Sequence, residues 1–168
     1  PLFGSIMHIS SLWAVAKNVD AIVWTNADIV LHQDFSSGIK TVFKVLENTG
    51  AWLAVVKRFN TPTYMSMMDT RKHAEHNLGG YDVFIWNLPK ILPVRLPLPP
   101  FTRTANKWDN WLITEASIQR TVCDASKIIT AQHVKHDFRN SKKVDPNKIH
   151  LTWQNIEYGG WHNMHNRI

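Results

Sequence analysis

Residues 21–31 read AIVWTNADIVL, an apolar run that the triplet NAD interrupts at positions 26–28. The run at 21–25 has the length and the β-branched and aromatic residues of a buried strand. In α/β sheets ligands bind at the carboxyl ends of such strands. Asp28 stands at that position, and its carboxylate can hold a divalent cation that neutralises a diphosphate. The alternative is that Asp28 opens a turn or caps the helix that begins near Asp34.

Helix and strand patterns alternate around this stretch. Apolar residues at helical spacing precede it, and an amphipathic helix is predicted from Phe35 to Leu46. A second buried strand follows at 51–56. The order helix, strand, helix, strand predicts an α/β fold whose sheet is largely parallel.

The length of 168 residues predicts a single domain spanning 1–168. A net charge of +6 favours an anionic partner, but no helix or strand carries a regular basic stripe, so nucleic acid is not expected. No apolar run reaches the roughly 18 residues of a membrane-spanning helix. A single cysteine, Cys123, excludes an internal disulfide. The sequence is compatible with a location in the cytoplasm or in the Golgi lumen.

Two later motifs carry carboxylates. Gly79 and Gly80 precede a predicted strand at 83–86, where paired glycines let a ligand approach the backbone, and Asp82 can accept hydrogen bonds from hydroxyls. A plain turn is the alternative. Asp109 opens a helix between two tryptophans, which would desolvate its carboxylate, raise its proton affinity and make it a general base for a hydroxyl. Helix capping is the alternative reading of Asp109.

Two strands are predicted near the end of the chain, at 122–124 and 127–131, and the second delivers His133 and His136 just past its end. An imidazole there can complete a metal site whose other ligand is a distant aspartate. We therefore expect Asp28 and His133 to face one cleft, although 105 positions separate them. Hydrogen-bonded surface histidines are the alternative.

The ordered succession of these motifs resembles a GT-A type glycosyltransferase of the nucleotide-diphospho-sugar transferase superfamily. The matching segments are PL at 1–2, NADI at 26–29, GGYDVF at 79–84, PPF at 99–101, WDNWLI at 108–113, DA at 124–125 and TAQH at 130–133. The resemblance continues to the glycine pair at 159–160 and so covers nearly the whole chain.

This resemblance implies a metal-assisted, inverting transfer of a sugar from a nucleotide diphosphate sugar to a glycan or another hydroxyl acceptor. Asp109 would be the catalytic base, and Asp28 with His133 would hold Mn²⁺ or Mg²⁺. His136 is an additional metal-ligand candidate, and Lys135 would add positive charge near the phosphates. The residues expected to contact donor or acceptor are Asn26, Asp28, Gly79, Gly80, Asp82, Trp108, Asn110 and Trp111.

The implied fold is a Rossmann-like GT-A domain, with a mixed, largely parallel sheet flanked by helices. The chain would be a partial domain without the N-terminal portion that binds the nucleotide base. Such enzymes carry an aspartate where this chain has Asn26, which implies a lower metal affinity or a contact through the amide. The alternative function is a non-catalytic remnant of the same fold that binds carbohydrate or nucleotide.

Overall fold

The computed structural model describes residues 9–10, 12–14, 16–73, 75–87 and 108–134. Within them the strands are β1 (Ala21–Thr25), β2 (Ile29–Leu31), β3 (Trp52–Thr61), β4 (Glu75–Asn87), β5 (Thr121–Asp124) and β6 (Ala131–Val134). The principal helices are α1 (Phe35–Leu46), α2 (Met67–His73) and α3 (Trp108–Gln119). The described part of the chain is therefore an α/β structure, as the alternating pattern predicts.

The six strands form one mixed sheet in the order β1-β4-β3-β6-β2, with β5 also pairing with β3. Three of the five strand pairings are antiparallel: β1 with β4, β4 with β3, and β6 with β2. Only β5 and β6 run parallel to β3. The prediction of a largely parallel sheet is therefore wrong. The chain reverses between β3 and β4, through a connection that contains the short α2, instead of crossing over to a parallel neighbour.

Strands β1 and β2 lie at opposite ends of the sheet order, although only residues 26–28 separate them. At the start of this segment the backbone N–H of Asn26 donates to the carbonyl of Asp82 on β4, at 3.2 Å. At its end Ile29 pairs with His133 on β6. Because β4 and β6 flank β3, residues 26–28 form a crossing segment from the β4 side of the sheet to the β6 side.

Apolar side chains cover both faces of the sheet. One cluster packs beneath α3; its main members are Leu53, Val55, Phe84, Trp86, Trp108, Trp111, Leu112 and Ile113. The other packs beneath α1; its main members are Val42, Leu46, Trp52, Ala54, Val56, Val83, Ile85, Ile129 and Ala131. Successive residues of β3 alternate between the two clusters, as the period of two in a strand requires.

Two local boundaries differ from the sequence-based expectation. Residues 126–128 form a turn, so the last strand begins at Ala131 and His133 lies inside β6 instead of after it. The glycine pair at 79–80 lies within the long β4 instead of before it.

Gly38 lies where α1 contacts the turn that leads to β6. A Cβ atom at this position would overlap Ile129 Cγ1 and lie 2.9 Å from the carbonyl oxygen of Ile128. We expect Gly38→Ala to lower the free energy of unfolding by about 1–3 kcal/mol, because this overlap outweighs the better helix propensity of alanine. Urea unfolding measures the change. Lys40→Ala, at an exposed position of the same helix, is the control, and an equal effect there would contradict the packing argument.

Asp34 precedes α1 and joins it to α2 and to the segment entering β6. Its carboxylate accepts hydrogen bonds from Thr130 N (3.1 Å) and Thr130 Oγ1 (2.6 Å), and it pairs with Arg71 Nη2 at 3.0 Å. Arg71 Nε also donates to Thr130 Oγ1, at 2.7 Å. Burial opposes ionisation of Asp34, but the bonds from Thr130 and Arg71 outweigh it and lower the pKa of this carboxyl.

A lowered pKa in the folded state stabilises the fold above the unfolded pKa, near 3.8, and this stability is lost as the pH falls through the folded value. We expect Asp34→Asn to lower the free energy of unfolding by about 1.5–3 kcal/mol at pH 7. The difference from the wild type should shrink as the pH falls through the lowered pKa of Asp34, because the wild-type carboxyl then also becomes neutral. Denaturant unfolding across a series of acidic pH values measures this; a difference independent of pH would contradict it.

Candidate functional site

The side chains of Asp28 and His133 meet where the crossing segment enters β2. Asp28 Oδ2 lies 3.3 Å from His133 Nε2, and the neighbouring Ile29 pairs directly with His133 across the two strands. The Asp28 side chain is 44% exposed and that of His133 is 13% exposed. The expected convergence of these two residues is therefore present, and solvent reaches it from the Asp28 side.

Asn60 on β3 contacts the second ring nitrogen of the His133 imidazole. Its Oδ1 atom lies 2.9 Å from His133 Nδ1, and Asn60 and His133 are partners in the parallel pairing of β3 with β6. An amide oxygen only accepts hydrogen bonds, so Nδ1 is the donor in this contact. In the protonated ring Nε2 donates to Asp28 as an ion pair, and in the neutral ring Nε2 carries the lone pair, which can bind a cation placed between the two residues.

The Asp28 and His133 atoms fit a divalent cation. An ion about 2.1 Å from each of two atoms that lie 3.3 Å apart subtends an angle of about 100°, between octahedral and tetrahedral values. Within the described ranges no group of three or more His, Cys, Asp or Glu side chains is arranged to hold a metal. The described residues thus offer two ligands here, and further ligands would come from water, phosphate oxygens or residues outside the described ranges.

Asp82 lies at an irregularity of β4 beside the crossing segment. Val56 pairs with Val83 but Lys57 pairs with Tyr81, so Asp82 is an extra residue in the ladder, and such bulges re-aim side chains. Asp82 Oδ1 accepts from Asn26 Nδ2 at 2.6 Å, and Oδ2 accepts from Arg58 Nη1 at 2.7 Å. This carboxylate, which is 8% exposed, thus bonds to protein groups through both oxygens.

Arg58 and Asn60 belong to the site but are missed by the sequence analysis, which ends the strand at Val56. They are two positions apart on β3, so their side chains share a face of the strand. Arg58 Nε is buried and has no hydrogen-bond partner within the described residues. Between Lys57 and Thr61 only Phe59 is apolar, so no alternation of polar and apolar residues marks this part of the strand in the sequence.

Helix α3 begins with the aromatic residues expected to contact a donor. Trp108 and Trp111 are only 7% and 6% exposed, and both belong to the cluster beneath α3. The Trp108 ring centroid lies 5.4 Å from that of Phe84. These tryptophans therefore pack in the core, whereas Asp109 and Asn110, in the first turn, are half-buried. Donor contacts by any of the four, or by Gly79 and Gly80, stay predictions.

A second polar cluster lies where β5 ends. Asp124 accepts hydrogen bonds from Ser126 and from Tyr81 Oη (3.2 Å), and it pairs with Lys57 Nζ at 3.4 Å. Burial opposes ionisation of Asp124, but the Ser126 bonds and the Lys57 charge outweigh it and lower the pKa of this carboxyl. The cluster joins β3, β4 and β5 and so helps to fix the strands that carry the candidate site.

Two candidates, Lys135 and His136, lie outside the described residues. In the described part of the chain, no helix combines the length and the apolar character that crossing a membrane requires. Comparisons with protein-family models, curated proteins and solved structures gave no match to this chain.

Proposed function

We propose that this chain is a GT-A type glycosyltransferase domain, or part of one, that moves a sugar from a nucleotide diphosphate donor to a hydroxyl acceptor. The observation that carries the proposal is the approach of Asp28 Oδ2 to His133 Nε2 at 3.3 Å, next to the strand end where α/β sheets bind ligands. The order of motifs along the chain supports the same family.

Asp28 and His133 would hold Mn²⁺ or Mg²⁺, with Asn60 orienting the imidazole through Nδ1. A bound cation supplies positive charge that stabilises the leaving diphosphate. The exposed side of Asp28 leaves room for phosphate oxygens to approach the pair. Arg58, two residues before Asn60 on the same strand, is already paired with Asp82, so the positive charge facing a diphosphate would come from the cation.

Asp109 would accept the proton of the acceptor hydroxyl as that oxygen attacks the sugar. Asp109 lies in the first turn of α3 and is half-buried. The Trp108 ring, next to Asp109 in the sequence, packs against Phe84, two residues after Asp82 on β4.

Incubation of the protein with nucleotide diphosphate sugars tests the proposal. We expect Mn²⁺ to promote release of the nucleoside diphosphate, a chelator to abolish it, and a hydroxyl acceptor to increase it. Binding of the donor without any turnover, with or without acceptors, would instead identify a non-catalytic carbohydrate- or nucleotide-binding protein.

A further inference from the structure

The crossing segment is held at its first residue by a pair of bonds to one partner. The Asn26 side chain donates from Nδ2 to Asp82 Oδ1 at 2.6 Å, and the Asn26 backbone N–H donates to the Asp82 carbonyl at 3.2 Å. Arg58 Nη1 binds the second carboxylate oxygen of Asp82 at 2.7 Å. We call this chain of contacts the Asn26–Asp82–Arg58 latch.

The latch requires a hydrogen-bond donor at position 26. An amide nitrogen donates to the Asp82 carboxylate, whereas an ionised carboxylate only accepts. An aspartate at position 26 would place two negative oxygens at a separation of about 2.6 Å, a repulsion that disfavours ionisation of both groups together. The asparagine is therefore matched to Asp82, and its donor nitrogen is directed at Asp82 instead of at a cation.

The latch also determines where Asp28 lies. Only Ala27 separates Asn26 from Asp28, and the Asn26 carbonyl accepts from Ile29 N at 3.3 Å, which closes the turn around Asp28. We infer that Asn26 is a positioning residue that sets Asp28 opposite His133, and that residue 26 is not a metal ligand. This inference rests on the proposed function for the cation at Asp28 and His133.

The two roles of residue 26 predict opposite effects of Asn26→Asp on Mn²⁺ binding. If residue 26 were a ligand, a carboxylate would bind the cation more tightly than an amide does. If it is part of the latch, the variant displaces Asp28, and Mn²⁺ affinity should fall by about 10-fold or more, as for other residues that orient ligands. Electron paramagnetic resonance of free Mn²⁺ measures the affinity, and Asn48→Asp, at an exposed position, is the matched control.

The double variant, Asn26→Asp with Asp82→Asn, again places one hydrogen-bond donor opposite one acceptor. We expect the double variant to bind Mn²⁺ more tightly, and to melt at a higher temperature, than Asn26→Asp alone. The latch would be overturned if Asn26→Asp alone bound Mn²⁺ more tightly than the wild type. It would also be overturned if the double variant did not fold, or recovered neither the Mn²⁺ affinity nor the melting temperature. If the wild type bound no Mn²⁺, the metal-assisted reaction proposed above would be contradicted. The melting temperatures of the single and double variants would still test whether the latch exists.

Discussion

Replacement of Asp109 by asparagine is expected to lower kcat by about 10²–10⁴ while the affinity for the nucleotide sugar stays nearly unchanged. Asparagine keeps the shape of the side chain and its capping ability at the start of α3, but it cannot accept the proton of an acceptor hydroxyl. The loss should therefore appear in the chemical step, which single-turnover measurement of sugar transfer isolates.

Glu115→Gln, on the same helix, is the matched control, because it removes one carboxylate without touching the first turn. Near-normal turnover by Asp109→Asn, with the helix intact by circular dichroism, would show that Asp109 is a cap. Asp82 is then a poor substitute as the base, since both of its oxygens already bind Asn26 and Arg58.

Replacement of Asp28 by alanine is expected to weaken Mn²⁺ binding by about 100-fold or more and to weaken donor binding with it. Residues that only orient metal ligands already contribute about 10–100-fold, and Asp28 is one of the two protein ligands proposed here. The affinity for the nucleotide sugar should fall as well, because its diphosphate would bind the same cation. Calorimetric titration of Mn²⁺, alone and with a nucleoside diphosphate, measures both effects.

Asp20→Ala is the matched control for Asp28→Ala, because Asp20 is an exposed carboxylate just before β1. The variants Asp109→Asn and Asp28→Ala should differ in kind: the first affects turnover and the second affects binding and its metal dependence. Unchanged Mn²⁺ and donor affinity in Asp28→Ala would leave the carboxylate with the turn-forming role that its position also allows.

Local pattern predicted the elements around the crossing segment. The strand at 21–25 and the helix at 35–46 follow from apolar periodicity, a property of short windows of sequence that needs no knowledge of the strand partners. The approach of Asp28 to His133 is expected from their predicted places at strand ends, but it arises because Ile29 on β2 pairs with His133, which lies inside β6.

The direction of pairing could not be predicted in the same way. Whether β4 runs parallel or antiparallel to β3 depends on how residues 62–74 turn, and the apolar pattern of β4 is compatible with both. Arg58 and Asn60 were missed because polar residues beyond Val56 resemble the end of a strand. The bond from Asn26 to Asp82 joins residues 56 positions apart, and no local signal indicates it.

The most direct measurement of the proposed cation site is a crystal structure of the protein with Mn²⁺ and a nucleoside diphosphate, in which anomalous scattering locates the metal. We predict one anomalous peak about 2.1 Å from both Asp28 Oδ2 and His133 Nε2, with phosphate oxygens completing the coordination. A peak coordinated by other residues, or a bound nucleoside diphosphate with no metal at this pair, would contradict it.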